Sequence, residues 1–162
     1  MQASIPHFFK FKVVSGTPLG RACVCTEKIE KGEIICKFVG PIINSKQAFE
    51  KYGFDNCIPL QIDEDAFIDL NEPYVFFNHS CKPNAGIRNN GILFALEEIK
   101  HGQEISYDYS TTVDDILWSM DCFCGEQNCR KKITDFQSIP HALKKFYLES
   151  GALTSYIRET FY

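Results

Sequence analysis

Short apolar runs separated by turn residues fill the first 45 positions of the sequence. The runs are Phe8 to Val14, Ala22 to Cys25 and Ile34 to Val39, separated by Ser15-Gly16-Thr17-Pro18 and Lys31-Gly32. Short apolar segments bounded by glycine and proline are typical of strands joined by tight turns. The pattern predicts a β-meander of short strands.

The middle of the chain continues in the same way. Ala85 to Arg88 and Ile92 to Leu96 flank Asn89-Asn90-Gly91, and the Asn-Gly pair predicts a hairpin because both residues tolerate positive φ. A further strand is predicted from Glu104 to Tyr109, after a turn at His101-Gly102. Mainly β structure is therefore expected.

Three short helices complete the predicted elements. Ser45 to Gly53 forms an insert, with Ser45 as the cap and Gly53 at the end. Near the C-terminus, Ser138 and Pro140 start a helix that stops at Gly151, and a second helix follows from Ala152 to Phe161.

Charge and composition narrow the classes of function. The 162 residues are 44% apolar and 23% charged, as in an ordinary globular domain, and carry a formal net charge of −4. Direct binding to nucleic acid is not expected, because no general basic field exists to hold a phosphate backbone. Mild acidity suits a cationic partner such as a Lys/Arg-rich tail, although it also serves solubility.

The sequence has neither a membrane-length apolar run nor the charged-then-apolar pattern of a signal peptide. We therefore expect no membrane association and a soluble intracellular protein. The location would be the nucleus in a eukaryote, or the cytoplasm in a microbe unless the protein is exported as an effector.

An acidic stretch runs from Asp63 to Glu72. It could face a basic substrate, but a solvated loop beside a strand is the simpler interpretation. Its five carboxylates belong to Asp63, Glu64, Asp65, Asp69 and Glu72.

Cysteines supply the first candidate chemistry. Cys122, Cys124 and Cys129 crowd into eight residues, with Gly125 permitting a sharp turn. In a reducing compartment such spacing is more typical of metal ligands than of disulfides. Tetrahedral Zn²⁺ needs a fourth soft ligand, and Cys81 is the candidate in a polar, turn-prone segment. The alternative is a set of free thiols.

The remaining cysteines are predicted to be small core side chains: Cys23, Cys25, Cys36 and Cys57.

Two further segments are informative. One is Phe77-Asn78-His79-Ser80-Cys81-Lys82-Pro83-Asn84, and the other is Glu104-Ile105-Ser106-Tyr107-Asp108-Tyr109. Strand periodicity would place Tyr107 and Tyr109 on one face. Taken alone, the first segment predicts the end of a strand and the second predicts core packing.

Together with Gly20-Arg21-Ala22, Lys37-Phe38-Val39-Gly40 and the cysteine cluster, these segments resemble the SET-domain methyltransferases with a post-SET zinc module. The resemblance covers roughly residues 8–133. It implies a SET-domain fold of small curved β-sheets, with a pseudoknot that joins the segments near Cys81 and Tyr109. We expect a SET domain at 1–119, a post-SET zinc module at 120–133 and a packed helical extension at 134–162.

The resemblance implies a protein-lysine N-methyltransferase. Such an enzyme transfers methyl from S-adenosylmethionine to the amine of a lysine in a protein or peptide, such as a histone tail, and releases S-adenosylhomocysteine. Tyr109 matches the catalytic tyrosine. The residues that match the family's cofactor-binding positions are Gly20, Arg21, Ala22, Asn78, His79 and Tyr109.

The lysine channel is expected to be lined by Phe38 and Tyr107. The family commonly has tyrosine at the position of Phe38, glycine at that of Ala22 and arginine at that of Val75. Tyr107 is expected to be catalytic together with Tyr109; it matches the family's phenylalanine/tyrosine switch and implies mainly monomethyl product with some dimethyl. One structural Zn²⁺ would be ligated by Cys81, Cys122, Cys124 and Cys129. The alternative function is a catalytically weak or inactive SET scaffold that binds peptides.

Overall fold

The computed structural model describes residues 9–53 and 58–162, which are mainly β. The strands are β1 (Phe11–Thr17), β2 (Gly20–Cys25), β3 (Ile34–Lys37), β4 (Ile42–Ile43), β5 (Pro59–Asp63), β6 (Ala66–Asp69), β7 (Asn78–His79), β8 (Ala85–Arg88), β9 (Ile92–Ala95), β10 (Ser106–Tyr107), β11 (Ser119–Asp121) and β12 (Lys132–Thr134). The helices are α1 (Ser45–Tyr52), α2 (His141–Ser150) and α3 (Ser155–Phe161), and single 3₁₀ turns occupy Tyr74–Phe76 and Tyr109–Thr112.

The strands form small sheets of two or three members. The two larger ones have the orders β3-β9-β8 and β4-β6-β5, and the β1-β2 and β11-β12 pairs are antiparallel hairpins. β7 and β10 pair in parallel.

The predicted meander is wrong beyond its first hairpin. β1 and β2 pair as expected, but β3 pairs with β9, which places Lys37 opposite Ile92. β1 also continues through the predicted turn, with a register irregularity between Val14 and Thr17. Apolar periodicity identifies a strand but not its partner, so the long-range pairing of β3 had no signal in the pattern.

The β8-β9 hairpin is confirmed. Arg88 lies opposite Ile92, and the positive φ values fall on Asn89 (51°) and Gly91 (98°). One of them therefore falls on the glycine of the Asn90-Gly91 pair, and the other falls on Asn89 instead of Asn90.

The predicted strand from Glu104 to Tyr109 is mostly irregular, with only Ser106–Tyr107 paired as a strand. The side chain of Asp108 caps the following 3₁₀ turn by accepting a hydrogen bond from Ser110 N at 3.0 Å. Tyr107 and Tyr109 therefore do not share a strand face. Their rings still contact each other, with centroids 4.9 Å apart.

α1 has the expected length but a different cap. Asn44 accepts a hydrogen bond from Gln47 N, and the Gln47 side chain accepts one from Asn44 N, which forms a capping box. The hydroxyl of Ser45, the predicted cap, donates to Asp65 instead. Gly53 ends the helix as predicted.

The C-terminal segment forms the two predicted helices. α2 ends at Gly151, whereas α3 begins at Ser155 because Thr154 is extended and its side chain caps the helix by accepting a hydrogen bond from Ile157 N. Ala152 and Leu153, between the helices, are buried. A second hydrophobic core holds this extension against β9; its buried members are Phe94, Phe136, Ile139, Tyr147, Ala152, Leu153 and Ile157.

The main core lies between the sheets and contains Cys23, Cys25 and Cys36, as predicted. Cys57 lies outside the described residues. The acidic stretch forms the end of β5, a turn and β6, and Asp69 in it accepts hydrogen bonds from Lys51 and Tyr52. Among the described residues, no helix has both the length and the apolar character needed to cross a bilayer.

Candidate active site

The parallel β7-β10 pair brings together two segments that are distant in sequence. Asn78 lies opposite Ser106 and His79 opposite Tyr107, and Ser80 N donates to Tyr107 O at 3.1 Å. The two motifs that carry the resemblance therefore meet at one place, as expected.

Tyr109 is fixed at this junction by two hydrogen bonds. Its hydroxyl donates to Phe77 O at 2.9 Å, and its backbone N donates to His79 Nδ1 at 3.2 Å. The hydroxyl is thus held beside a backbone carbonyl at the start of β7.

His79 is neutral at physiological pH. Burial lowers its pKa to about 4, outweighing the opposite influence of Asp108. Because Nδ1 accepts from Tyr109 N, the proton resides on Nε2, which faces Cys81 Sγ at 3.3 Å. The side chain therefore holds the Tyr109 segment and the Cys81 segment together.

The predicted cofactor residues lie near Asn78. Its Nδ2 atom donates to Arg21 O at 3.0 Å and to Glu104 Oε1 at 2.8 Å. The Arg21 guanidinium lies 3.9 Å from the centroid of the Phe76 ring and 3.5 Å from the Glu72 carboxylate. The start of β2 is therefore solvent-exposed and carries a guanidinium from Arg21 beside the carboxylates of Glu72 and Glu104.

Ala22 differs from its neighbours because it is fully buried, whereas Gly20 and Arg21 are exposed. Its methyl group is accommodated inside the protein, where β2 pairs it with Val14. The alanine at this position therefore places no side chain on the exposed surface.

Aromatic rings form the wall behind Tyr109. Phe38 is 1% exposed, and its ring centroid lies 5.9 Å from that of Tyr107, 5.6 Å from that of Phe77 and 5.7 Å from that of Tyr74. The two predicted channel residues, Phe38 and Tyr107, are therefore in contact and almost fully shielded from solvent.

The four predicted metal ligands converge. The Sγ atoms of Cys81, Cys122, Cys124 and Cys129 all lie within 4.8 Å of one another, and those of Cys81 and Cys122 are 3.7 Å apart. A tetrahedral Zn²⁺ with Zn–S bonds of about 2.3 Å requires sulfur–sulfur distances of about 3.8 Å. The set fits one zinc ion, and no other such group occurs in residues 9–53 and 58–162.

Local backbone geometry supports this sulfur cluster. The loop is closed by the β11-β12 hairpin and turns at Gly125, whose φ is 76°. Arg130 N donates to Cys81 Sγ at 3.3 Å. Burial opposes ionisation of Cys124, but backbone N–H groups and the neighbouring thiols outweigh it and lower the pKa of this thiol to about 7. Thiolates are the form that binds metal.

A buried carboxylate, Asp108, was not singled out from the sequence. Its Oδ1 accepts from Arg130 Nη2 at 2.6 Å, and its Oδ2 accepts from Tyr147 OH at 2.7 Å. The available signal was an ionisable residue between two tyrosines, inside a motif that carries the resemblance. One partner, Arg130, follows the last cysteine, and the other, Tyr147, lies in α2. No rule of sequence spacing connects either residue to Asp108.

A groove of about 460 Å³ lies between α1, the β5-β6 hairpin and the segment that follows the Tyr109 turn. Its lining combines apolar side chains with three carboxylates and the ammonium group of Lys46. The apolar residues include Phe49, Phe67 and Val113, and the carboxylates belong to Glu64, Asp114 and Asp115.

The parallel crossing, the tyrosine at its end and the adjoining sulfur cluster define a SET-type site. The family model of the SET domain matches residues 20–110, more than half of the chain, and the chain belongs to this family. Trithorax of Drosophila virilis, a histone-lysine N-methyltransferase, is 31% identical over 69% of this chain and 3% of its own length.

Two other relatives give similar values. The histone-lysine N-methyltransferase ASHH3 of Arabidopsis thaliana is 31% identical over 78% of the chain and 39% of its own length. The variant-silencing SET domain-containing protein of Plasmodium falciparum is 32% identical over 87% of the chain and 6% of its own length. The chain thus spans well under half of each of these relatives.

Solved structures agree with the fold. KRYPTONITE, in complex with mCHG DNA and SAH, is 27% identical with a TM-score of 0.62, covering 78% of this chain and 29% of its own. The methyltransferase domain of human SETMAR is 23% identical with a TM-score of 0.62, covering 78% of this chain and 58% of its own, and supports the fold alone.

Proposed function

We propose that this chain is a protein-lysine N-methyltransferase domain. The observation that carries the proposal is the Tyr109 hydroxyl, held 2.9 Å from Phe77 O at the junction where Asn78 and Tyr107 also lie. Membership of the SET domain family supports it, as do relatives named histone-lysine N-methyltransferases.

The cofactor is S-adenosylmethionine, bound at the surface around Asn78. Its sulfonium carries an electrophilic methyl group, and its product is S-adenosylhomocysteine. The backbone of Gly20, Arg21 and Ala22 contacts it, and Asn78 and His79 hold its amino group and adenine. The mixed charges of Arg21 and Glu104 suit an amino-acid headgroup, and the KRYPTONITE structure contains SAH.

The lysine enters beside the aromatic wall. Its amine must be neutral to act as a nucleophile, and a dry site lowers the pKa of the lysine by disfavouring the ammonium form. Phe38 and Tyr107 exclude water from this end of the channel, since both are buried. Tyr109 orients the reacting methyl by weak C–H···O contact, so the protein acts mainly by positioning.

Cys81, Cys122, Cys124 and Cys129 hold one structural Zn²⁺, which takes no part in the chemistry. Cys81 lies two residues after His79, so the metal joins the end of β7 to the loop that completes the channel. In this proposal residues 1–119 form the SET domain, 120–133 the zinc module and 134–162 its packed extension.

The substrate is a lysine in a basic protein, such as a histone tail, and a eukaryotic protein of this kind acts in the nucleus. The relatives' names support this choice, and so do the carboxylates of Glu64, Asp114 and Asp115 in the groove. Tyr107 favours mainly monomethyl product, because its hydroxyl can hold a water where a second methyl would lie.

Labelled S-adenosylmethionine, incubated with purified histones and with lysate, tests the proposal. Wild type should label a basic protein on lysine, and Tyr109→Phe should lose about 100-fold in kcat, because it removes the oxygen that orients the methyl group and a misplacement of about 1 Å can cost that much. Tyr162→Phe, at the exposed chain end, is the matched control.

No transfer by wild type to any histone, tail or lysate protein would refute the enzymatic function. Peptide binding without calorimetric binding of the cofactor would instead support the inactive scaffold.

A further inference from the structure

Asp108 links three parts of the molecule through one buried carboxylate. It directly precedes Tyr109, receives Arg130 of the zinc loop on one oxygen and receives Tyr147 of α2 on the other. Its side chain is completely shielded from solvent. The C-terminal extension is therefore hydrogen-bonded to the residue beside the candidate catalytic tyrosine.

The two donors complete the environment that a buried charge requires. A buried carboxylate is tolerated only when it is paired and hydrogen-bonded, and removing one partner leaves an uncompensated charge. Burial and the nearby Asp108 carboxylate raise the pKa of Tyr147, so its phenol stays protonated and acts as a donor. Arg130 supplies the opposite charge at 2.6 Å.

The network also reaches the sulfur cluster. Arg130 follows Cys129 directly, and its backbone N donates to Cys81 Sγ at 3.3 Å. Holding the Arg130 side chain on Asp108 therefore fixes the last turn of the zinc loop against the Tyr109 segment. The hydrophobic cluster of that loop, which includes Trp118 and Ile133, packs against Tyr109 itself.

We propose that Tyr147 is a positioning residue that stabilises the zinc loop and, through it, the placement of Tyr109. It acts through Asp108 and Arg130 and touches neither substrate nor cofactor. The consequence for methyl transfer rests on the proposed function, whereas the consequence for the zinc loop does not. The C-terminal helices then help to set the geometry of the site.

Zinc release provides the first test. Tyr147→Phe removes only the hydroxyl, and Tyr156→Phe is the matched control, since Tyr156 in α3 donates to Asp114 at 3.1 Å without contacting Asp108. Zinc transfer from the folded protein to a chromophoric chelator should be about tenfold faster in Tyr147→Phe, equivalent to about 1.4 kcal/mol. Equal rates in wild type and Tyr147→Phe would overturn the proposal.

Kinetics provide the second test. Tyr147→Phe should lower kcat about tenfold while changing KM for cofactor and peptide by less than about twofold, the pattern of a lost transition-state geometry. Tyr162→Phe, at an exposed position, should match wild type. Equal kcat losses in both variants would show a general structural effect and overturn the positioning role. An inactive wild type would refute the proposed function, and zinc release would still decide the coupling.

A measurement on wild type decides the case if Tyr147→Phe fails to fold. Coupling between sites is reciprocal, so removing zinc should accelerate hydrogen exchange in α2. Amides of α2 should exchange faster after zinc removal, and those of α3 should not. No acceleration in α2, or equal acceleration in both helices, would overturn the proposal.

Discussion

Gly86→Ala should loosen the C-terminal extension, because Gly86 lies directly under Ala152. A Cβ atom at position 86 would lie 2.6 Å from Ala152 Cβ and 3.3 Å from Leu96 Cδ2. Carbon atoms pack at about 3.5–4.0 Å, so the first contact is too short by about 1 Å. Neither a methyl group nor the backbone that carries it can rotate away.

The size of the effect follows from overpacking a buried contact. Inserting a methylene into a packed core costs about 1–3 kcal/mol in the free energy of unfolding. For a domain of this size each kcal/mol lowers Tm by about 2–4 °C, which gives a decrease of about 2–12 °C. Ala152→Gly alone removes one buried methyl group, worth about 0.8 kcal/mol.

The double variant Gly86→Ala/Ala152→Gly restores the space and separates the clash from other effects. Thermal unfolding of the two single variants and the double variant gives a cycle, in which the double should be more stable than Gly86→Ala alone. Trypsin should cleave α2 faster only in Gly86→Ala. A Gly86→Ala protein as stable as wild type, or a double variant whose losses simply add, would refute the packing argument.

Three further outcomes are expected. Tyr107→Phe should shift products toward di- and trimethyllysine with little loss of turnover, measured by mass spectrometry of a peptide; an unchanged distribution would assign control to Phe38. Metal analysis should find one Zn²⁺ per chain, and chelation should loosen the region after Ser119 and reduce activity; full activity without metal would contradict the structural role. Asn78→Ala should weaken cofactor binding about tenfold by calorimetry, since it removes the hydrogen bond to Glu104; unchanged affinity would exclude Asn78 from the site.

Local features of the fold were well predicted from sequence. The β8-β9 hairpin, the end of α1 at Gly53 and the end of α2 at Gly151 all depend on short-range rules for turns and caps. The convergence of the four cysteines also followed, because three of them are neighbours and Cys81 belonged to a recognisable motif.

Long-range features were not predictable in the same way. The pairing of β3 with β9 is decided by packing, not by the pattern of either strand. The role of the His79 side chain depends on its burial, which keeps the ring neutral, and on the hydrogen bond from Tyr109 N, which fixes the tautomer. Asp108 stood within a recognised motif, but its partners in the zinc loop and α2 are set by tertiary structure alone.

The parallel pairing of β7 with β10 constrains the order in which the polypeptide can acquire its native contacts. A nascent chain that has reached only β7 has no partner for that strand, and β3 must likewise wait for β9. Closing such long loops costs chain entropy before the stabilising long-range contacts form. Folding should therefore be slow compared with helical proteins of equal length. The hydrogen bond from Tyr147 to Asp108 cannot form until α2 has been synthesised. The native environment of Tyr109 is therefore complete only after translation has passed α2.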